Sequence, residues 1–231
     1  MKILAVDTST QTCSVALIDG EDLIAETTTG SHQTHTKRLL GIIAHLLAGA
    51  GWRAEALDGM AVVQGPGSFT GLRIGISSIK GLAAATGKPV LGVSSLEALA
   101  WQCLTYNGRI YPMIDARKRE LYTAGFLAVN GHLNPLTNQQ VAGPNEVLAN
   151  IETPCLMVGN GALLYGDMIR EHLGSRAHLA PAGQHHVRAS TVAYMAWQRF
   201  KQGDAAEDGQ LVPEYVRKSD AQIHLNAKKL S

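Results

Sequence analysis

Apolar positions along the chain fall into two periods, separated by short polar stretches that carry glycine. Lys2 to Val6 is a short apolar run that ends in Asp7-Thr8-Ser9-Thr10. Cys13 to Asp19 alternates, and Asp22 to Thr28 follows the turn signal Asp19-Gly20, so three consecutive antiparallel strands are predicted. From about Thr34 to Ala50 the period becomes helical, stopping at Gly51. Leu39, Leu40, Ile42, Ile43, Leu46 and Leu47 fill an arc of roughly 160° there, wider than one core face needs. Leu57 to Val63 reads as a buried strand, 70–86 as a helix and Pro89 to Val93 as a strand. Ser94 to Leu104 reads as a helix capped by Ser94 or Ser95.

The pattern then starts again. Arg109 to Asp115 is a strand ending in aspartate, as the first did. Glu120 to Val129 is a second strand, Asn130-Gly131 a type I′ turn and Leu133 to Val141 a third strand. Helices are predicted at 144–151, 162–173 and 190–201, and Cys155 to Gly161 is a strand running into a glycine turn. Each half reads βββαβα. The expectation is an α/β protein of two duplicated lobes, 1–104 and 105–203, with a polar linker at 202–210 and a tail of about 211–231 packing back on the first lobe.

Gln64 to Gly75 (Gln-Gly-Pro-Gly-Ser-Phe-Thr-Gly-Leu-Arg-Ile-Gly) joins a strand to a helix through a turn whose glycines, Gly65 and Gly67, admit close backbone approach. Thr70 is a candidate N-cap, and a helix start beside such a turn can hold an anion. Asp7, Thr8, Ser9 and Thr10 offer a carboxylate, hydroxyls and free amides, a second candidate phosphate contact that any polar hairpin would also resemble. Along the helix Gly71, Gly75 and Ser78 share a narrow strip continued by Leu82. Leu72, Ile76, Ile79 and Ala83 line one flank, Ile74 and Ala85 the other, and Arg73, Ser77 and Lys80 share the remaining face. So wide an apolar-or-small arc predicts burial from two sides, by a sheet and by another helix. The candidate partner surface is therefore Leu39, Ile43 and Leu46 with Gly71, Arg73, Ile74, Gly75 and Ser78.

With 231 residues, 45% hydrophobic and 17% charged, the chain can bury a sizeable core. Its formal charge of +1, without a dense basic block, excludes nucleic-acid binding by electrostatics alone. Cys13, Cys103 and Cys155 are isolated and odd in number, and read as small buried hydrophobes of a reducing compartment. His32 and His35 have no third ligand nearby at metal spacing. Neither a leader nor a membrane-length apolar run is visible, so the expectation is a cytoplasmic protein with no membrane partner.

A duplicated βββαβα unit with an acidic first hairpin resembles the actin, Hsp70 and sugar-kinase fold. Four blocks carry a narrower resemblance: Ile3 to Thr10, Gly65 to Gly75, Asp115-Ala-Arg-Lys-Arg-Glu-Leu-Tyr122 and Val158-Gly-Asn-Gly161. Together they look like the TsaB (formerly YeaZ) family, and the match runs from Met1 to the Tyr215-Val-Arg217 region. The resemblance implies a non-catalytic partner in bacterial threonylcarbamoyladenosine (t6A) tRNA modification. In that system threonylcarbamoyl passes from its adenylate to N6 of adenosine 37 in tRNAs reading codons that begin with A.

The implied partners are the catalytic paralogue TsaD, the ATPase TsaE, a second copy of the chain, and tRNA through the complex. TsaD carries a His-x-x-x-His metal pair in the helix after the strand matching Pro89 to Val93. Here Ser95 and Leu99 stand at those two positions, so the resemblance implies no catalytic residue and no metal. Asp7–Thr10 with Gly65 and Gly67 become a vestigial phosphate site. No cofactor is expected to stay on the lone chain, ATP or ADP entering in the assembled complex. Two other classes stay open on the residues: a small-molecule kinase or ATPase using Asp7 with Gly65–Gly67 or Gly159–Gly161, and a metal-dependent peptidase. The second lacks a Gly-x-Ser-x-Gly elbow and a His-Glu-x-x-His helix.

Overall fold

Two mixed sheets organise the structure, a computed structural model that describes residues 1–30, 38–204 and 211–216. The first holds β1 (Lys2–Asp7), β2 (Thr12–Asp19), β3 (Asp22–Gly30), β4 (Gly59–Gly65) and β5 (Val90–Ser94) in the order β3-β2-β1-β4-β5. β1 pairs antiparallel with β2 and parallel with β4, Ala5 standing opposite both Ala16 and Ala61. The second sheet holds β6 (Gly108–Arg117), β7 (Glu120–Thr123), β8 (Phe126–Val129), β9 (His132–Pro135), β10 (Gln140–Ala142), β11 (Cys155–Val158) and β12 (Ala177–Leu179). Its path is β10-β7-β6-β11-β12, with β8 on β6 and β9 on β8. Counting β7 with β8 and β9 with β10 as interrupted strands, the order of the first sheet repeats.

The interruption is a departure from the predicted continuous strands 120–129 and 133–141. It falls at Gly125, whose amide donates to the Thr137 hydroxyl (2.7 Å) and whose carbonyl accepts from the Leu136 amide (2.8 Å). The main chain there pairs with the following loop instead of with β6. The predicted helix 162–173 likewise divides into α5 (Asn160–Leu164) and α6 (Gly166–Leu173) at Tyr165, which leaves helical geometry before a buried glycine. β12 was not foreseen, because its Ala-His-Leu segment is too short to show a period.

Helices and sheets stack in five layers. α1 (Leu39–Gly49) and α2 (Phe69–Thr86) cover the outer face of the first sheet through Leu4, Val6, Val15 and Leu17. α4 (Pro144–Ala149), α5 and α6 cover the outer face of the second. Between the sheets lie α3 (Ser95–Trp101) and α7 (Ala189–Lys201), sharing one core with Ile3, Ala5, Val63, Ile110, Ile114 and Val158. Leu96 and Leu99 of α3 are at most 1% exposed, each contributing roughly 1.5–3 kcal/mol by burial. The predicted start of the first helix at Thr34, with His32 and His35, lies outside the described residues, as does the tail beyond 216.

α7 comes from the second half of the chain but lies on the first sheet. Its first turn is held there by the Glu26 carboxylate of β3, which accepts from the Ser190 amide (2.9 Å) and hydroxyl (2.7 Å) and pairs with Arg188 (3.1 Å). The Ala189 amide donates to the Ser14 hydroxyl at 3.0 Å. A carboxylate at a helix N-terminus answers both its free amides and its dipole.

Candidate functional site

The first candidate site lies where β1 ends. Asp7 is completely buried, and its Oδ1 accepts from the Ser9 amide at 2.9 Å. Asp7 Oδ2 and Ser9 Oγ are buried without a hydrogen-bond partner. Burial pushes the Asp7 carboxyl up to about 6, with Ser9 pulling the other way. The Thr8 hydroxyl donates to the Gly71 carbonyl (2.7 Å), the Thr10 and Thr12 hydroxyls bond each other (2.9 Å), and the Ser68 amide donates to the Ser9 carbonyl (2.7 Å).

The glycines of the following turn and helix receive this hairpin. A Cβ at Gly67 would run into the Ser9 carbonyl, one at Gly71 into the Thr8 carbonyl, and one at Gly75 into the Thr8 hydroxyl and Val62. The Ser9 and Ser68 amides, which a phosphate would need, are already engaged within the turn, and the carboxylate beside them disfavours an anion. The structure brings Asp7, Thr8 and Ser9 together with Gly67 and packs them shut, whereas Thr10 is half-buried on Thr12 and Gly65 meets Glu214. The helix is capped by Ser68, whose hydroxyl accepts from the Gly71 amide (3.2 Å), and not by Thr70. Gly65 is approached by the Glu214 carbonyl, and the Glu214 amide donates to the Gln64 carbonyl at 2.7 Å.

The equivalent turn of the second sheet ends β6. Asp115 Oδ1 accepts from the Arg117 amide at 2.9 Å, its Oδ2 lies 3.7 Å from the Arg117 guanidinium, and its own amide donates to Asn160 (3.1 Å). Arg117, Lys118 and Arg119 all hold left-handed backbone (φ 64°, 52° and 59°) with exposed side chains. No glycine or asparagine announces that conformation in the sequence. Here the neighbouring glycines, Gly159 and Gly161, abut the Met113 carbonyl.

α3 links the two turns. The Ser95 hydroxyl donates to the Pro66 carbonyl (2.5 Å), and Leu99 touches the space a Gly159 side chain would need. Ser94 caps the helix, accepting from the Glu97 amide at 3.3 Å. His185, a residue sequence reasoning missed, is buried beside Gly159: its Nδ1 accepts from the Gly159 amide (3.2 Å) and its Nε2–H donates to the Ala180 carbonyl (2.8 Å). Among the described residues no three His, Cys, Asp or Glu side chains converge. Burial pushes the Cys13, Cys103 and Cys155 thiols up to about 11, as inert core cysteines require.

The candidate partner residues separate. Leu39, Ile43 and Leu46 face the chain's own first sheet and are buried, and Gly71 and Gly75 face Thr8. α2 packs on its own sheet and beside α1, and its glycine strip admits the β1–β2 turn of its own chain. Arg73, Ser77, Lys80, Gly81, Ala84 and Ala85 are exposed, and Ile74 and Ser78 half-buried. Leu40 of α1 is 55% exposed. At the start of α2, Phe69 stacks on Tyr215 of the tail (centroids 4.9 Å apart, planes at 25°). The Arg73 guanidinium lies 3.8 Å from the Phe69 ring centre, and its Nε–H donates to the Tyr215 hydroxyl at 3.1 Å. Among the described residues no helix is long and apolar enough to cross a membrane.

A family model described as "TsaD: tRNA N6-adenosine threonylcarbamoyltransferase" matches residues 24–225. The Bacillus subtilis "tRNA threonylcarbamoyladenosine biosynthesis protein TsaB" is 35% identical over 96% of this chain and 96% of its own length. The solved structure "YeaZ from Pseudomonas aeruginosa" is 31% identical and superposes with a TM-score of 0.80, covering 93% of this chain and 99% of that one. Component A of the Acidaminococcus fermentans (R)-2-hydroxyglutaryl-CoA dehydratase shares the fold alone, with a TM-score of 0.54 at 13% identity over 86% of this chain and 98% of that one.

Proposed function

The chain belongs to the TsaB (YeaZ) family, and from that membership we propose that it serves t6A biosynthesis as a non-catalytic subunit. Its fold is that of actin, Hsp70 and the sugar kinases, duplicated as two α/β lobes. The matching family model describes an enzyme, so the reading rests on what stands in α3. Ser95 is spent on the Pro66 carbonyl and Leu99 is packed in the core between the sheets, 1% exposed. A leucine cannot ligate a metal, and a serine so engaged offers no thiolate, imidazole or carboxylate. This is the observation that carries the proposal.

On this reading the protein works in the cytoplasm by holding the catalytic paralogue TsaD in a competent state and helping to recruit the ATPase TsaE. tRNA is met through the assembly, with adenosine 37 of tRNAs reading codons that begin with A as the target. The exposed face of α2 and the outer edge of α1 are the surfaces offered to TsaD or to a second copy. The lone chain binds nucleotide weakly, because the Ser9 and Ser68 amides are already used and Asp7 lies beside them.

The test is reconstitution. The purified chain, TsaD and TsaE from one bacterium are combined with unmodified tRNA, threonylcarbamoyl-adenylate and ATP, and t6A is read by mass spectrometry of the digested tRNA. Modification is expected with the three proteins together, none with this chain alone, and a large loss when it is left out. Modification by the chain alone, or full activity without it, would overturn the proposal.

A further inference from the structure

The tail segment 211–216 returns across the end of β4 and finishes on the first turn of α2. Leu211 anchors it, 5% exposed among the apolar residues under α1 and α2, and the Glu214 amide bonds the Gln64 carbonyl. Beyond that anchor the segment turns apolar side chains outward: Val212 is 57% exposed and Tyr215 41%, next to Phe69 at 38%. Exposed aromatics side by side cost free energy unless something covers them.

Arg73 touches both aromatic residues in a fixed pose. Phe69 supports the guanidinium plane and the Tyr215 hydroxyl holds Nε, while the terminal nitrogens have no hydrogen-bond or ion-pair partner among the described residues. A guanidinium stacked and tethered in this way has already lost most of its rotamer freedom. Its free edge is the fork that takes a carboxylate bidentately. Tyrosine and arginine ringed by apolar surface are also the residue types that dominate binding energy at protein interfaces.

We propose that Phe69, Arg73 and Tyr215 form a preassembled anchor for a carboxylate side chain of the catalytic paralogue, making the tail segment part of the partner surface. The inference rests on the proposed function for the identity of the partner. A protein suits the patch better than RNA does. One cation held by two partly exposed aromatic residues matches an acidic side chain set in an apolar surface, whereas a phosphate backbone needs several cations in a row.

The full-length chain and purified TsaD are titrated by calorimetry. Self-association is followed by sedimentation, tRNA binding by filter retention and folding by thermal unfolding. Arg73→Glu is expected to weaken the TsaD complex about ten- to a hundredfold, with Arg73→Gln in between. Tyr215→Phe keeps the ring stack but loses the hydroxyl that holds Nε, and should weaken binding roughly threefold. Thermal midpoints should stay put, since these side chains are exposed. Wild-type affinity for TsaD in folded Arg73→Glu would overturn the inference, as would a loss confined to self-association or to tRNA binding. If the wild-type chain itself fails to bind TsaD, the proposed function falls as well, so the two failures are told apart.

Discussion

The turns that end β1 and β6 occupy the same place in their sheets, each beside the glycine turn of the fourth strand, yet they do opposite things with polar groups. At the first, Asp7, Thr8 and Ser9 are buried, the amides are used internally, and Gly67 of the turn and Gly71 of α2 press on the Ser9 and Thr8 carbonyls. At the second, Asp115 stays partly open and holds Arg117, while Arg117, Lys118 and Arg119 stand exposed on a left-handed backbone. The glycines differ in what they touch as well: they lie beyond the aspartate in the first lobe and before it, on Met113, in the second. The duplication repeats the scaffold and not the chemistry. One turn has become core; the other is surface that carries strain of roughly 1 kcal/mol or more per left-handed residue.

The largest test of that contrast is Gly71→Ala. A backbone carbonyl stands where the new Cβ must go, so the change should cost about 3 kcal/mol and lower the thermal midpoint by roughly 6–12 °C. A midpoint unchanged within a degree would show that the first turn is not the packed element described above.

Next comes Asp7→Asn, compared with wild type across pH. The folded carboxyl is raised above its ordinary value to about 6, so the fold favours its protonated form. That contribution is complete below about pH 4 and is lost as pH rises through 6, about 3 kcal/mol in all. The wild type should therefore lose stability relative to the variant between pH 4 and pH 7, measured by urea unfolding at each pH. A constant difference across that range would mean that Asp7 is ionised without penalty.

The smallest effect belongs to the second turn. Arg119→Gly frees a left-handed position (φ 59°) from its Cβ clash and should stabilise by about 0.5–1 kcal/mol, a rise of a few degrees at most. A loss of stability would show that the arginine side chain is worth more to the fold than its backbone costs.

Much of the architecture was readable because it rests on local chemistry. Asn130 and Gly131 both take the positive φ (51° and 76°) that a two-residue hairpin demands, and Gly87 ends α2 at φ 67°. Asp7 and Gly65 end the neighbouring parallel strands β1 and β4, and that placement was legible in the pattern of strand and turn. The direction of the Gly71–Gly75 strip could not be read, since periodicity gives the width of an arc and not what fills it. Thr8, the residue that does, lies 63 positions away from Gly71. The Arg73–Tyr215 contact spans 142 positions and leaves no periodic trace. Three consecutive left-handed residues built from Arg, Lys and Arg contradict every local preference, and the Asp115 carboxylate that holds the first of them gives no signal in the sequence.

Synthesis runs from one end of the chain to the other, and the seat of α7 sets a clock on it. By the time β5 has emerged, all five strands of the first sheet exist, but of its inner face α3 reaches only the β4–β5 side. Ile3, Ala5, Ala16 and Ile18 stay bare until residues 189–201 leave the ribosome and dock through Glu26 and Ser14. At about 5–20 residues per second, the hundred or so residues between β5 and α7 keep that apolar face waiting on the order of ten seconds. During that wait the growing chain depends on chaperones or on its own second lobe for cover, and a ribosome stalled before α7 would release an aggregation-prone fragment.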